Sequence, residues 1–362
     1  AKPQVLLYLM QIVSVPVRPE ILLNETILYG LFAFLLGLFL TPWFISFLKK
    51  NSTGKQIRVE TVDGKQASVF RHYHKDKHGT PTMGGILIWS SILATVLLSR
   101  LLAYVGKVDH SLLQRGQVYL PLFILVSLGI LGAVDDYLNI IGSGKKKGLD
   151  WIPKISSLLL ISGLGALWFY FKLDYNQIYI PYLGALHVGI WYIPLFMFII
   201  VGTANAVNIT DGLDGLAGGL LVIAFSSFAV LAYIQGLYVL SAFCVVCVGA
   251  IAAFLWHNVP PALFFMGDTG SLALGGTLGV IAMMLDQMFV LTMIGFVFVI
   301  ETLSVIIQLT SKKFRGGKKV FKAAPIHHHF EALEWGESKV TMRLWIVGAF
   351  MAFGGVVVGV FG

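Results

Sequence analysis

The sequence predicts an all-α polytopic membrane protein with about ten transmembrane helices, and three observations lead to this prediction. Of the 362 residues, 57% are hydrophobic and only 12% are charged, whereas soluble domains carry about 25% charged residues. Apolar stretches of about 20 residues, long enough to cross a bilayer as a helix, recur along most of the chain. Lysine and arginine gather in a few of the connections. Because lipid offers the backbone no hydrogen-bond partners, such stretches must be helices.

Ten candidate spans follow one another along the chain. They cover residues 26–48, 82–104, 119–140, 154–172, 190–208, 215–234, 237–256, 270–285, 288–310 and 340–361. We expect one integral membrane domain over 1–362, in which 1–20 is a short lead-in and 49–80 and 311–339 are larger cytoplasmic loops. No basic region followed by a small-residue cleavage site is visible near the N-terminus, so no secretory signal peptide is expected.

The basic residues predict the orientation of the spans. Eight of them follow span 1, four follow span 3 and eight lie between spans 9 and 10, which makes twenty of the 26 lysines and arginines. Cytoplasmic loops carry such an excess, so both termini are expected to be extracytoplasmic. The net charge of +8 is explained in this way and does not indicate nucleic acid. Between spans 4 and 5, residues 175–189 alternate in hydrophobicity around Gly184, which is typical of a small periplasmic β-hairpin.

Polar residues fall on one side of this predicted topology. An ionisable group inside a membrane segment costs about 2.5–3.5 kcal/mol on insertion scales and is a functional candidate by default. At the cytoplasmic ends of spans lie the following polar residues: Asp135, Asp136, Asn205, Asn208, Asp211, Asp214, His257, Asn258, Asp268 and His327–His329. Glu301 lies about two turns deeper. Since distant segments deliver these groups to one membrane face, the sequence predicts a shared site there.

The residue types indicate the chemistry of this site. Asp135 and Asp136 are adjacent on a helix, so their side chains point about 100° apart and should have different tasks. Oxygen ligands with few histidines at ligand spacing favour Mg²⁺, or Mn²⁺, over zinc. Several acids beside Lys77, Lys154 and the triplet His327–His329 suit a phosphate-rich substrate, with the histidines as donors to phosphate oxygens. The glycines beside Asp211, Asp214 and Asp268 predict loops whose backbone approaches a ligand closely.

Six short tracts together resemble a known family. These tracts are Thr80–Gly85, Asp135–Tyr137, Asn205–Gly215, Phe265–Ser271, Glu301–Thr302 and Ala324–Glu331. In this order they are similar to the phospho-N-acetylmuramoyl-pentapeptide transferases, within the polyprenyl-phosphate N-acetylhexosamine-1-phosphate transferase superfamily. The tract with three consecutive histidines favours the muramoyl-pentapeptide branch. Departures at Lys322–Ala323 and Glu337–Lys339 concern local details of the last cytoplasmic loop.

The resemblance implies a reaction and its partners. It implies Mg²⁺-dependent transfer of phospho-MurNAc-pentapeptide from UDP-MurNAc-pentapeptide to undecaprenyl phosphate, with lipid I and UMP as products, at the cytoplasmic face of the bacterial inner membrane. A homodimer is also expected. Two readings remain as alternatives. A relative could transfer another N-acetylhexosamine phosphate, or the chain could be a secondary transporter, which would place its acids near the bilayer midplane.

The resemblance also implies residue roles. Asp268 would be a Mg²⁺ ligand, with Asp135 as a second candidate. Asp135 would activate the lipid phosphate, as a base or as a covalent nucleophile, and Asp136 would assist or orient it. Contacts to uridine are implied for Lys77, Gly212, Leu213, Asp214, Asn258 and Phe265. Contacts to the diphosphate or sugar are implied for Asp211, His327, His328 and Lys154, and substrate contacts also for Asn208 and His329. Glu301 receives no role. Near it, residues 296–300 suggest a locally polar, bent helix beside the lipid groove.

Overall fold

The computed structural model describes residues 19–50, 79–108, 110–113, 116–142 and 148–362. The helices among them are α1 (Pro19–Lys50), α2 (Gly85–Tyr104), α3 (Tyr119–Ile141), α4 (Trp151–Leu167), α5 (Tyr192–Thr210), α6 (Leu216–Ile234), α7 (Tyr238–Asn258), α8 (Gly267–Met284), α9 (Met288–Ile294), α10 (Phe296–Phe314), α11 (Ile326–Glu331) and α12 (Glu337–Phe361). A π-helical turn over Trp168–Lys172 extends α4, and a 3₁₀ turn over Gly189–Trp191 precedes α5.

These helices confirm the predicted class of an all-α polytopic membrane protein. Within the described residues, eight helices are long and apolar enough to cross a membrane, or nine if the bent pair α9–α10 counts as one span. The eighth predicted span, 270–285, corresponds to α8, which is not among them. Instead α8 is a short helix of 18 residues. The predicted loop 311–339 is partly helical, because it contains the end of α10 and all of α11.

Helix α8 lies at the centre of the bundle. Every residue from Thr269 to Met284 is buried, and the helix packs mainly against α3 and α5. Small residues make this packing possible, because a Cβ atom at Gly275 would meet the backbone of α5 and one at Gly276 would meet Leu128 of α3. The polar first turn of α8 is thereby placed inside the protein, among the ends of other helices.

The predicted hairpin is confirmed between α4 and α5. Strand β1 (Gln177–Ile180) pairs antiparallel with β2 (Gly184–His187), with Ile180 opposite Gly184. The turn therefore occupies residues 181–183, just before the glycine at which we expected it. The backbone N–H of Tyr182 donates to the carbonyl of Gly362, 2.8 Å away. The hairpin thus lies at the same end of the bundle as the C-terminal end of α12.

The ninth predicted span is sharply bent. Helices α9 and α10 meet at an angle of 85° across the single residue Gly295, immediately before the segment 296–300 in which a bend was expected. The bend is confirmed, and its position has a simple cause, since glycine interrupts a helix at low steric cost. Helix α10 consequently leaves the direction of α9 and carries Glu301 with it.

Candidate active site

Two carboxylates and one lysine form the centre of the site. Asp268 lies in the first turn of α8, Asp135 lies near the end of α3, and Lys154 lies in the first turn of α4. The Lys154 ammonium is 3.0 Å from Oδ2 of Asp135 and also contacts Oδ2 of Asp268. The other oxygen of Asp135 accepts the backbone N–H of Leu149 at 2.5 Å. Two carboxylates from helices far apart in sequence thus converge on one positive charge.

Asp136 faces a different partner from its neighbour Asp135. Its carboxylate accepts the backbone N–H groups of Asp268 at 3.2 Å and Thr269 at 3.0 Å, together with the Thr269 hydroxyl at 2.7 Å. These are unpaired donors of the first turn of α8, so Asp136 caps that helix from α3. A Cβ at Gly132 would collide with the backbone of Asp268 and Thr269. Only glycine lets α3 approach the start of α8 this closely.

Asn208 holds the Asp268 carboxylate from a third side. Its amide nitrogen donates to Oδ1 of Asp268 at 2.7 Å and contacts the Ser271 hydroxyl at 2.8 Å. Since Asn208 lies in the last turns of α5, the site is built where α3 and α5 end and where α4 and α8 begin. Such a meeting of helix ends fixes the direction of both Asp268 oxygens before any ligand binds.

The turn after α5 is braced by residues from several helices. Oδ2 of Asp214 accepts the N–H of Ala262 at 2.9 Å, and the Asp214 N–H donates to Glu337 of α12 at 2.7 Å. Asn258, at the end of α7, accepts the N–H of Gly215 at 3.0 Å and donates to the Phe264 carbonyl at 2.9 Å. Asp214 and Asn258, for which uridine contacts were predicted, are both buried here and connect backbone segments. Their contacts with substrate stay a prediction.

The tracts Thr80–Gly85 and Phe265–Ser271 are joined through their backbones. The N–H of Gly84 donates to the carbonyl of Phe265, and the N–H of Phe265 donates to that of Pro81, both at 2.8 Å. Phe265 lies three residues before Asp268 and is half-buried, and its stacking on uracil stays a prediction.

The three histidines do not act as one group in this structure. His327 is fully buried, and its Nδ1 lies 2.9 Å from Oε2 of Glu301. Nδ1 of His328 lies 2.6 Å from Oε2 of Glu331. Nδ1 of His329 accepts the backbone N–H of Lys322 at 3.1 Å. Each ring is therefore oriented by its own partner through Nδ1, and the contact of the triplet with phosphate stays a prediction.

The remaining predicted residues lie around this centre. Asp211 and Gly212 follow α5 and are half-buried, and Leu213 is buried. Lys77 lies outside the described residues. Sequence reasoning gave no role to Glu301, to Thr269 or to the bracing residue Glu337. Glu301 carried a signal as an acid in an apolar segment, whereas the contact of Glu337 with Asp214 spans 123 residues and has no local signature.

The centre of the site suits a divalent cation with oxygen ligands. Within the described residues there is no cluster of three or more His, Cys, Asp or Glu side chains able to hold a metal. Asp135 and Asp268 nevertheless direct two carboxylates at a single cationic atom. Mg²⁺ typically takes one or two carboxylates and completes its shell with water and substrate phosphates. The donor set therefore fits Mg²⁺ and does not resemble a zinc site.

Comparison with known proteins identifies the family of this chain. A family model described as glycosyl transferase family 4 matches residues 118–286, which carry Asp135, Asp136, Lys154, Asn208 and Asp268. A model described as phospho-N-acetylmuramoyl-pentapeptide-transferase signature 1 matches residues 77–88. The second match covers the backbone junction with Phe265, so both matches fall on the site.

Three relatives extend the similarity over most of the chain. A phospho-N-acetylmuramoyl-pentapeptide-transferase of Chloroflexus aurantiacus is 40% identical over 337 residues, covering 90% of this chain and 86% of the relative. Relatives with the same name from a Geobacillus species and Bacillus anthracis are 41% and 40% identical, covering 91% of this chain and 96% of each relative. The chain belongs to the phospho-N-acetylmuramoyl-pentapeptide-transferase family. It is thus a membrane-embedded phosphoglycosyl transferase of peptidoglycan biosynthesis.

Proposed function

We propose that this transferase moves phospho-MurNAc-pentapeptide from UDP-MurNAc-pentapeptide to undecaprenyl phosphate, in the presence of Mg²⁺, and releases lipid I and UMP. The observation that carries the proposal is the convergence of Asp135, Asp268 and Lys154 where four helices end or begin. The names of the relatives supply the substrate. A site for two phosphate-bearing substrates needs both cationic and metal-binding groups, and this cluster offers both.

The reaction joins two anions, so charge neutralisation and positioning account for most of the catalysis. An oxygen of the lipid phosphate attacks the sugar-linked phosphorus of the nucleotide, a new P–O bond forms, and the bond to the bridging oxygen breaks as UMP leaves. When bound at Asp268, Mg²⁺ would neutralise the diphosphate. Asp135 would orient the attacking lipid phosphate and accept its proton where one is present. Lys154 would bind phosphoryl oxygens between the two carboxylates.

The other predicted residues would surround the nucleotide. Phe265 would stack on uracil from the backbone junction with Pro81 and Gly84, and the turn at Asp211 and Gly212 would lie against the diphosphate. Because the acceptor is a lipid and the nucleotide is soluble in water, the two meet at the membrane surface. This explains a site at helix ends. The basic connections support a cytoplasmic orientation of this face, and the bacterial relatives support an inner-membrane location. A homodimer remains part of the proposal.

The decisive experiment is reconstitution. Purified protein in detergent or nanodiscs is mixed with Mg²⁺, undecaprenyl phosphate and UDP-MurNAc-pentapeptide, and UMP and the lipid-linked product are quantified. UDP-N-acetylglucosamine serves as the comparison substrate, because it separates this reaction from that of relatives that transfer another hexosamine phosphate. Turnover of UDP-N-acetylglucosamine in preference to the muramoyl substrate would refute the proposed specificity.

Replacement of Asp268 tests the metal site. We expect Asp268→Asn to lower UMP release at least about 10³-fold at any Mg²⁺ concentration, because the neutral amide is a weak ligand for a hard cation. Asp150→Asn is the matched control, since Asp150 is an exposed acid one turn before Lys154 and has no place in the proposed site. Near-normal turnover of the Asp268 variant would exclude Asp268 as the metal ligand.

A further inference from the structure

Glu301 is a carboxylate whose complete burial needs a cause. It lies in α10, an otherwise apolar helix, and has no exposed surface. Removing an ionised carboxylate from water is costly unless a partner of opposite charge or several hydrogen bonds compensate for it. Such a residue, placed at the cytoplasmic half of a predicted span, calls for a specific partner in the folded protein.

The partner is His327 of α11. Oε2 of Glu301 lies 2.9 Å from Nδ1 of His327 and 3.4 Å from its backbone nitrogen. Both side chains are completely buried. A carboxylate beside Nδ1 requires a proton on that nitrogen, and thereby sets the protonation and the orientation of the ring. The direction of Nε2 is thus determined by Glu301, which lies 26 positions before His327 in the chain.

Nε2 of His327 points at the turn after α5. Among the described residues it has no hydrogen-bond partner, although it is buried. A Cβ atom at Gly212 would collide with it, so the ring is packed directly on the backbone of that turn. A buried polar atom without a partner carries a free-energy cost, and a substrate group that pairs with it would remove this cost.

This atom lies near the carboxylate–lysine centre. Gly212 follows Asn208 by four residues and stands in the turn just after α5, which ends at Thr210. Asn208 in turn donates to Asp268 at 2.7 Å. His327, at Gly212, and Asp268, at Asn208, therefore both border the C-terminal end of α5 and the turn after it.

From this geometry we infer that Glu301 is a positioning residue that holds His327 so that Nε2–H donates a hydrogen bond to a phosphoryl oxygen of the bound nucleotide. This role rests on the proposed function. A donor at Nε2 requires the doubly protonated ring, because Nδ1–H is already directed to Glu301. The Glu301 carboxylate balances the positive charge of that ring, and the pair is then neutral in its buried surroundings.

Binding of two ligands that differ only in phosphate tests the role. Affinities for UDP and for uridine are measured by calorimetry on the full-length protein in Mg²⁺ for the wild type and for Glu301→Gln. Glutamine keeps an acceptor for Nδ1–H but removes the charge. We expect UDP to bind about 10-fold or more weakly, as for other residues that orient a functional histidine, while uridine binding changes less than about twofold. A purely structural contact would lower both affinities equally.

Two further variants complete the test. The double variant Glu301→Gln with His327→Gln should bind UDP no more weakly than the weaker single variant, because both changes remove the same interaction. Ser304→Ala is the matched control, since the Ser304 hydroxyl lies one turn along α10 and donates only to the Glu301 backbone carbonyl. Multiplicative losses in the double variant, or unchanged UDP affinity in Glu301→Gln, would overturn the inference. A wild-type protein that binds UDP but forms no lipid-linked product would instead reject the proposed reaction.

Discussion

At the scale of single residues, the two adjacent aspartates of α3 illustrate how different partners assign different tasks to identical side chains. Asp135 faces Lys154 and Asp268, where substrate phosphates are proposed to bind. Asp136 uses its oxygens for three donors of the first turn of α8. A carboxylate at a helix N-terminus satisfies otherwise unpaired N–H groups and also interacts favourably with the helix dipole. Asp136 therefore acts on Asp268 through the backbone.

Variants of this pair should separate the two tasks. Asp136→Asn removes the charge and turns one acceptor into a donor opposite the N–H groups of α8, so the Asp268 backbone should be held less firmly. We expect Mn²⁺ affinity, measured by electron paramagnetic resonance, to fall about 10-fold, as for other residues that orient a metal ligand. With saturating Mn²⁺, kcat should stay within about threefold of the wild type. Asp135→Asn should instead have a strongly lowered kcat at every metal concentration.

Thermal unfolding provides the control for this comparison. Asp136→Ala leaves the three donors without an acceptor and should lower stability by about 2–3 kcal/mol, more than Asp136→Asn does. A strongly lowered kcat of Asp136→Asn at saturating Mn²⁺, with unchanged Mn²⁺ affinity, would contradict this role. Asp136 would then have to contact the reacting groups.

At the scale of elements, the C-terminal end of α8 is closed by a hydrogen-bonding pattern that usually requires glycine. The N–H of Gln287 donates to Ala282 and the N–H of Asp286 donates to Met283, which is the Schellman motif. Its left-handed residue is Asp286, with φ of 59°. Helices α2 and α6 end in the same pattern with Gly106 and Gly236. An acid at this position places a carboxyl group under the hairpin.

The charge of Asp286 should make stability depend on pH. Burial raises the pKa of Asp286 to about 6, although Tyr175 and the Tyr179 backbone lower it. An unfolded aspartate has a pKa near 3.9, so between about pH 4 and 6 the folded protein binds more protons than the unfolded chain. Stability is therefore greatest at the acid end of this window and falls as the pH rises through it, by up to about 3 kcal/mol.

Asparagine at position 286 should remove this dependence, because it keeps the left-handed conformation without the charge. Asp286→Asn should have a higher melting temperature than the wild type above pH 6, and the difference should vanish near pH 4. Asp174→Asn is the matched control, since Asp174 is also left-handed, with φ of 51°, but is exposed. Equal pH profiles of the Asp286 variant and the wild type would show that the folded protein does not raise the pKa of the Asp286 carboxyl.

The elements could be predicted from the sequence because their signals are local. Apolar length alone located the long helices, and the alternation around Gly184 located the hairpin. The site could be predicted as a set of residues, since costly polar groups stood out against apolar surroundings. Its internal contacts could not, because the Asp136–Thr269 and Glu301–His327 pairs join residues 133 and 26 positions apart. Nothing local distinguishes an aspartate that caps a distant helix from one that faces a substrate.

At the scale of the whole molecule, the bundle has two chemically different ends. One end carries Asp135, Lys154 and Asp268 together with the start of α12, whose Glu337 holds the turn at Asp214. The other end carries the hairpin, which is bonded to Gly362. The distribution of lysine and arginine predicts that the first end is cytoplasmic. A nucleotide substrate made in the cytoplasm would then reach the site directly.

This sidedness can be measured in intact cells with single introduced cysteines. The native Cys244 and Cys247 are fully buried, so their background reaction with a membrane-impermeant maleimide should be small. Leu183→Cys, on the exposed hairpin turn, should react in intact cells. Lys318→Cys, exposed after α10, should react only after the membrane is permeabilised, because the clustering of twenty of the 26 basic residues in three connections predicts that its side of the protein is cytoplasmic. The reverse labelling pattern would mean that the proposed site faces the outside, where UDP-linked substrates are not supplied. It would contradict both the orientation and the proposed reaction.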